Sequence, residues 1–333
     1  MKKKRTIFLL SVLVILCAIL WFPLPYYVSS PGMAKALDDV VAVEGGAKGS
    51  GEFLLTTVSM ARGNLLTLIK AKLDPYSDVE PLDEVRDEDE TDEEYRVKQL
   101  YLMENSQENA LQVAFEKAGK SVEVDYNGIY VLNVLEGGPS DGTLAAGDRI
   151  VAVDGKDFRS AEEFTSYIQN KPEGTVVTLS IVRNGKEMNR KITLGRIKAT
   201  GKTGIGITLA EDKEVSTEPK VEFHTEEIGG PSAGFMFSLE IYEQLVKKDI
   251  TKGYRIAGTG TIAADGSVGP IGGVEKKVIA ADRAGADIFL APSGRDYELA
   301  VQTAKAIGSG MEIVSVSNFD EGLRYLDSLR PKK

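Results

Sequence analysis

From residue 123 to residue 196 apolar side chains recur at every second position, a period that strands can bury and helices cannot. GIYVLNVL, DRIVAVDG, TVVTLSIVR and KEMNRKITL each read as a strand, and Asn184-Gly185 between the last two is a tight hairpin signal. Within SAEEFTSYIQN, Phe164, Tyr167 and Ile168 share one helical face, so one short helix is predicted over 160–170. Residues 123–196 are thus predicted to form a small β-rich domain. From 197 to 333 the pattern changes. Strands at GIGITL, KVEFH, YRIAGTGTI, DIFLAP and EIVSVS alternate with helices over 231–247, 273–285, 294–306 and 319–328, which predicts an α/β or α+β domain of catalytic size. A chain of 333 residues accommodates two or three such units.

The first 28 residues obey another rule. MKKKR precedes IFLLSVLVILCAILWF, sixteen residues in which only Ser11 is polar. Residues 7–28 are about long enough to span a bilayer, with Trp21, Tyr26 and Tyr27 placed like interfacial anchors. A cleaved signal peptide is the alternative, but VSSP is no A-x-A-like site, and Leu16 is too large to precede a lipidated cysteine. The basic cluster predicts a cytoplasmic N-terminus, a single-pass anchor in the cell membrane, and residues 29–333 outside the cytoplasm. Residues 29–122 form a third, less regular region. GEFLLTTVSM reads as a strand and NLLTLIKAKL as a short amphipathic helix. Thr91 and Glu94 make a capping pair before a helix, and Ser106 opens another that ends near Gly119. Residues 80–94 carry ten acids against one arginine and read as a solvated loop; a calcium loop would need an ordered D-x-D-x-D-G pattern that is missing.

A net charge of −10 argues against nucleic acid as a partner. The one cysteine, Cys17, excludes an intrachain disulfide and any cysteine-built metal site, and no metal or other cofactor is expected.

The chemistry concentrates in EEIGGPSAGFMFSLE. Ser232 within GGPSAG satisfies G-x-S-x-G, but the single histidine, His224, lies before it, which excludes the hydrolase order. Two readings stand: an ordinary serine at a proline-led helix start, or a nucleophile with another base. In GPIGGVEKKVIAADRAGAD, Val274, Val278 and Ala281 form one stripe. Lys277 falls on that inward face, and Lys276 is predicted to point into solvent. A buried lysine loses hydration of its charged form, its pKa falls, and the neutral amine can take a hydroxyl proton. Gly230 and Pro231 are assigned to the oxyanion loop, and amides at the helix start suit an oxyanion.

GIYVLNVLEGGPSDGTLAAGDRIVAVDGKDF resembles a PDZ domain over about seventy residues. The resemblance implies a peptide-binding groove between a strand and the 160–170 helix, with Gly128, Ile129, Tyr130 and Val131 at its carboxylate end. YRIAGTGTI, VGPIGGVEKKVIAADRAGA and GGPSAG together resemble the proteolytic domain of the Lon family, over about 40% of the chain. With the anchor, the whole is similar to membrane-anchored PDZ-Lon proteases of Gram-positive bacteria. That resemblance implies a Ser-Lys pair of Ser232 and Lys277, with Thr259 helping to hold the lysine. The family carries an acidic residue before GPSAG, where this chain has glycine. In LGRIKATGKTG, Gly195 stands one residue too far from Gly201 for a P-loop, so no ATP is expected to be used.

The expected architecture is multi-domain: an N-terminal transmembrane helix in 1–28, an extracytoplasmic region over 29–122, a β-rich PDZ-like domain over 123–196 and an α+β Lon-type proteolytic domain over 197–333. The expected function is ATP-independent cleavage of peptides or unfolded proteins, the oligomeric state (a homo-oligomer included) being left open. The alternative is a membrane-tethered PDZ scaffold with a silent proteolytic domain.

Overall fold

The computed structural model describes residues 5–6, 10–11, 20–86, 90, 92–198, 200–225 and 228–332. The first part of the chain forms β1 (Tyr26–Ala36), β2 (Val41–Val43), β3 (Glu52–Arg62), α1 (Leu65–Leu73), β4 (Asp78–Pro81), α2 (Leu82–Val85) and α3 (Asp92–Lys117). Asn64 and Thr67 cap α1 reciprocally, which fixes its start directly after β3. Helix α3 runs unbroken through Ser106, where a second helix was predicted to begin. Gly119 then ends it in the left-handed region (φ +68°), with the Lys120 amide donating to the Phe115 carbonyl. The Thr91–Glu94 capping pair cannot be placed, because Thr91 lies outside the described residues.

The middle of the chain forms β5 (Val122–Val134), β6 (Arg149–Val153), β7 (Lys156–Asp157), α4 (Ala161–Gln169), β8 (Val176–Arg183), β9 (Lys186–Thr193), β10 (Gly195–Arg196), β11 (Thr203–Gly204) and β12 (Ile207–Thr217). Its antiparallel sheet runs β12-β5-β6-β8-β9. Asn184 and Gly185 turn β8 into β9 with positive φ at both positions, as their types favour. Ser160 caps α4, whose Phe164 and Ile168 are buried among Ile129, Val131, Val177 and Leu179.

The last part supplies β13 (Val221–Phe223), α5 (Gly234–Val246), β14 (Arg255–Gly258), β15 (Thr261–Ile262), β16 (Val268–Gly269), α6 (Val274–Arg283), β17 (Ile288–Pro292), α7 (Arg295–Ala306), β18 (Glu312–Val316) and α8 (Phe319–Ser328). These do not form a sheet alone. The second sheet runs β18-β17-β14-β3-β1-β4, and β13 pairs with β2. Phe53 and Leu55 of β3, Met103 and Phe115 of α3, and Phe235 and Phe237 of α5 lie in one core. Residues 29–122, predicted as a region apart, therefore complete the fold of the last third. The β-domain is an insert whose entry and exit strands pair from Ile207↔Val134 to Thr217↔Val122, leaving its two ends side by side. The predicted boundary at 196/197 falls inside this insert, because β12 returns to it after the 197–206 loop.

The predicted membrane segment 7–28 also needs shortening at its end. Tyr26 opens β1 and Tyr27 and Val28 are in the sheet, both buried, with the Tyr27 hydroxyl donating to Asp92 Oδ1 at 2.9 Å. Tyr27 cannot serve as an interfacial anchor from there. Most of residues 7–19 lie outside the described residues, and among those described no helix is long and apolar enough to cross a membrane.

Candidate active site

Ser232 stands just before α5, in a loop held by α3. The Gly230 amide donates to the Gln99 carbonyl at 2.8 Å, and Ser106 Oγ donates to the Pro231 carbonyl at 2.9 Å. Helix α3 approaches so closely that a Cβ at position 234 would lie 2.5 Å from Ser106 Oγ and 2.6 Å from Ile262 Cγ2. Only glycine fits there. The motif is thus built for a tight crossing of two helices as well as for presenting a serine.

Helix α6 brings Lys277 to this point from the other side. Val274, Val278 and Ala281 seat the helix on Leu54, Ala257 and Phe289 of the sheet, and Lys277, almost fully buried, shares that face. Its Nζ lies 2.5 Å from Ser232 Oγ and 2.9 Å from Thr259 Oγ1. Thr259, at the end of β14, directs its own hydroxyl to the Ser232 carbonyl at 3.0 Å, and the Gly260 amide donates to the same oxygen at 2.9 Å. Because the Thr259 proton is engaged there, its oxygen is free to accept from the lysine. Burial lowers the Lys277 pKa to about 7, outweighing the opposing Asp296 carboxylate. Asp296 itself accepts from the Ile271 amide at 2.9 Å.

Lys276 departs from expectation. It is also buried, and its Nζ pairs with Asp78 Oδ2 of β4 at 2.5 Å. The stripe argument assigned it to solvent, but β4 at the sheet's rim covers that side of the helix. His224 is exposed, as a bystander should be; its amide donates to Val40.

Gly230 and Pro231 serve the loop but cannot steady an oxyanion. The Gly230 amide is taken by Gln99 and proline has none. The amides of Ser232 and Ala233, at the start of the 13-residue α5, have no hydrogen-bond partner among the described residues, and a helix start is where such a site can form.

In front of the serine lies a cleft of about 960 Å³, lined by Val58, Ser59 and Met60 of β3, by Tyr95, Gln99, Leu100 and Met103 of α3, and by the 228–233 and 270–272 loops. Strand β14 pairs with β3 only as far as Leu55. Beyond it, among the described residues, β3 pairs with β1 alone, so one edge of residues 56–60, which line the cleft, is unpaired. An extended chain can add there, beside Ser232.

The predicted peptide-binding residues of the insert are misplaced. Gly128, Ile129, Tyr130 and Val131 belong to β5, whose edges are taken by β12 and β6. An interior strand accepts no further strand. A Cβ at Gly128 would meet the Ile150 carbonyl oxygen at 2.4 Å, so this glycine admits β6 rather than a ligand. The edge strand beside α4 is β12, preceded by Gly204-Ile205-Gly206. A glycine-rich turn leading into an edge strand was the available signal; GIGITL had been read as the first strand of the catalytic part.

The acidic run 80–94 is only partly a solvated loop. Glu80 lies in β4, Leu82–Val85 is helical, and Glu90 is buried against Lys98 at 2.8 Å. Among the described residues no group of His, Cys, Asp or Glu is placed to hold a metal.

Comparison with known proteins finds two domains, and β12, which pairs with β5 of the insert, falls within the second match. Residues 113–194 match the PDZ domain, and residues 208–327 match the Lon protease (S16) C-terminal proteolytic domain. The Lon protease of Mycoplasma mobile is 36% identical over 92 residues, 28% of this chain and 11% of that protein. The Lon protease of Rickettsia felis is 35% identical over 96 residues, 29% of this chain and 12% of that protein. The chain thus spans about a tenth of the length of these curated relatives. The crystal structure of the PDZ domain of an SdrC-like protein from Listeria monocytogenes is 39% identical, covering 26% of this chain and 93% of that one, with a TM-score of 0.26. A PDZ domain and a Lon-type C-terminal proteolytic domain are therefore both present in this chain.

Proposed function

We propose that the protein is a membrane-anchored serine endopeptidase that uses Ser232 and Lys277 and needs no ATP. The observation that carries the reading is the Lys277 Nζ to Ser232 Oγ contact of 2.5 Å, made by a lysine whose pKa burial has lowered to about 7. The neutral amine donates one hydrogen to Thr259 Oγ1, which leaves its lone pair for the Ser232 proton. Ser232 Oγ attacks the substrate carbonyl carbon as Lys277 takes that proton, and the Ser232 and Ala233 amides hold the resulting oxyanion. Lys277 then protonates the departing amine. Water, deprotonated by the same lysine, splits the acyl-enzyme and regenerates the serine.

The substrate lies along the open edge of β3, as an extended or unfolded segment. The insert captures such chains between β12 and α4, supplying main-chain hydrogen bonds that demand little sequence. Residues 7–22 anchor the chain in the cell membrane, which places the site outside the cytoplasm.

A fluorophosphonate probe tests the nucleophile directly. Intact-mass analysis of the full chain in detergent should show one adduct, mapped to Ser232, absent in Ser232→Ala and slowed at least a hundredfold in Lys277→Ala, roughly the contribution of a general base. Equal labelling of wild type and Lys277→Ala would remove the lysine from the mechanism. An unlabelled wild type would favour a silent proteolytic domain on a PDZ scaffold.

A further inference from the structure

We propose that α1 (Leu65–Leu73) lies in the headgroup region of the bilayer, as a second membrane contact beside the N-terminal anchor. The proposal rests on reading residues 7–22 as that anchor, and it adds a surface that an anchor by itself does not require.

The segment LLTLIKAKL is apolar on two faces. At roughly 100° per residue, Leu68 and Ala71 fall on one side of the helix, which packs against β1 and β4. Leu65, Leu66, Ile69 and Leu73 fall within an arc of about 100° on the other side. All four are between 39% and 80% exposed. Single apolar side chains are common on protein surfaces, but a continuous stripe of them marks a surface that meets something. Lys70 and Lys72, both exposed, stand at the two margins of the stripe. This pattern suits a helix lying flat on lipid, with the apolar stripe at the acyl boundary and the flanking lysines extended to the phosphates. The nearby acids are engaged elsewhere. Asp74 accepts from the Tyr76 amide and the Ser77 hydroxyl, and Asp78 pairs with Lys276.

The path of the chain says what covers the stripe. The long apolar run of the N-terminus ends at Trp21 and Phe22, both exposed. Immediately after it, the Leu24 amide donates to the Gly63 carbonyl at 2.8 Å, and Arg62 Nε donates to the Leu24 carbonyl at 3.1 Å. The Gly63 amide donates in turn to the Tyr26 carbonyl at 2.7 Å. A Cβ at Gly63 would lie 2.8 Å from that same oxygen, so glycine permits this crossing. The next residue, Asn64, caps α1. The place where the anchor leaves the bilayer is therefore fastened to the start of α1. The helix is only about 14 Å long, so its far end stays near the same surface. A second copy of this chain could cover the stripe, but it would explain neither the lysines at both margins nor the tie to the anchor.

Strand β3 carries this contact to the candidate active site. Met60 lines the cleft, and the stretch from Met60 to Leu65 spans at most about 18 Å. Docking of α1 thus holds the mouth of the cleft close to the bilayer surface.

Fluorescence quenching on the full chain, reconstituted in phosphatidylcholine–phosphatidylglycerol vesicles, tests this. An environment-sensitive dye is attached at Cys17 in the natural sequence, or at Ile69→Cys, Leu73→Cys or Val301→Cys in a Cys17→Ser background. Val301, exposed on α7, is the control. Lipids carrying a nitroxide near the headgroup should quench the dye at 69 and 73 about twofold or more and leave the dye at 301 unchanged. Lipids with the nitroxide deep in the acyl chain should quench the dye at Cys17. A quenched Cys17 with unquenched dyes at 69 and 73 would overturn the docking of α1 and keep the anchor; energy transfer between dyes at 69 on separate chains would then make a second copy the occupant. Quenching at none of the positions would remove the anchor, and this proposal with it.

Discussion

Lys276 and Lys277 leave the same turn of α6 and are both buried, yet their surroundings differ in one decisive respect. Lys276 meets a carboxylate, Asp78, at 2.5 Å, whereas Lys277 meets two hydroxyls and no bonded carboxylate, with Asp296 acting on it through space. Burial without a paired counter-charge lowers the Lys277 pKa. Depth alone therefore does not make a base. The partner decides, and in α6 two adjacent residues receive opposite partners because β4 covers one side of the helix and the serine loop the other.

The largest break in this comparison is removal of the amine. Lys277→Ala should lower kcat by about a thousandfold or more with the circular dichroism spectrum retained, and Lys277→Arg should not restore it, since a guanidinium stays charged. Acidification should act on the same amine without mutation. Below pH 7 the lysine is protonated and cannot accept the serine proton, so kcat/KM should rise about tenfold per pH unit toward 7 and level above it, read from initial rates on a fluorogenic peptide. A rate independent of pH from 5 to 9 would contradict the assignment. Thr259→Val keeps the shape and removes the acceptor that orients Lys277. It should cost roughly ten- to a hundredfold in kcat, a modest part of a general-base contribution, with KM little changed.

The smallest effects belong to the supports. Lys276→Met deletes an ion pair whose acid is largely exposed, so thermal unfolding should shift by about 1 kcal/mol or less while kcat moves only a few-fold. Ser106→Ala removes one hydrogen bond to the nucleophile loop and should likewise cost about 1 kcal/mol. A Lys276 variant as inactive as Lys277→Ala would erase the distinction between the two lysines.

What could be read from sequence followed the range of the interactions. The Val274, Val278 and Ala281 stripe placed Lys277 inward from spacing alone, because a helix face is a local property. The hairpin at Asn184-Gly185 and the apolar face of the 160–170 helix were local too. Thr259 entered only through family resemblance, since nothing in AGTG marks it as the group that bonds Lys277. The part played by α3 was hidden, because its contact with Pro231 spans 125 residues and an entire inserted domain. The same insertion made residues 29–122 look independent and assigned GIGITL to the wrong half. Strand partners are not written in strand periodicity, and so the open edge was sought on β5 instead of β12.

The central claim is that Ser232 cuts peptide bonds with Lys277 as its base and without nucleotide. The most direct test incubates the full chain in detergent with an unfolded protein such as casein, with no ATP present, beside Ser232→Ala, and follows fragments by mass spectrometry. The account predicts fragments from wild type alone, with internal cut sites. Fragments of equal yield from both proteins, or none from either, would contradict it.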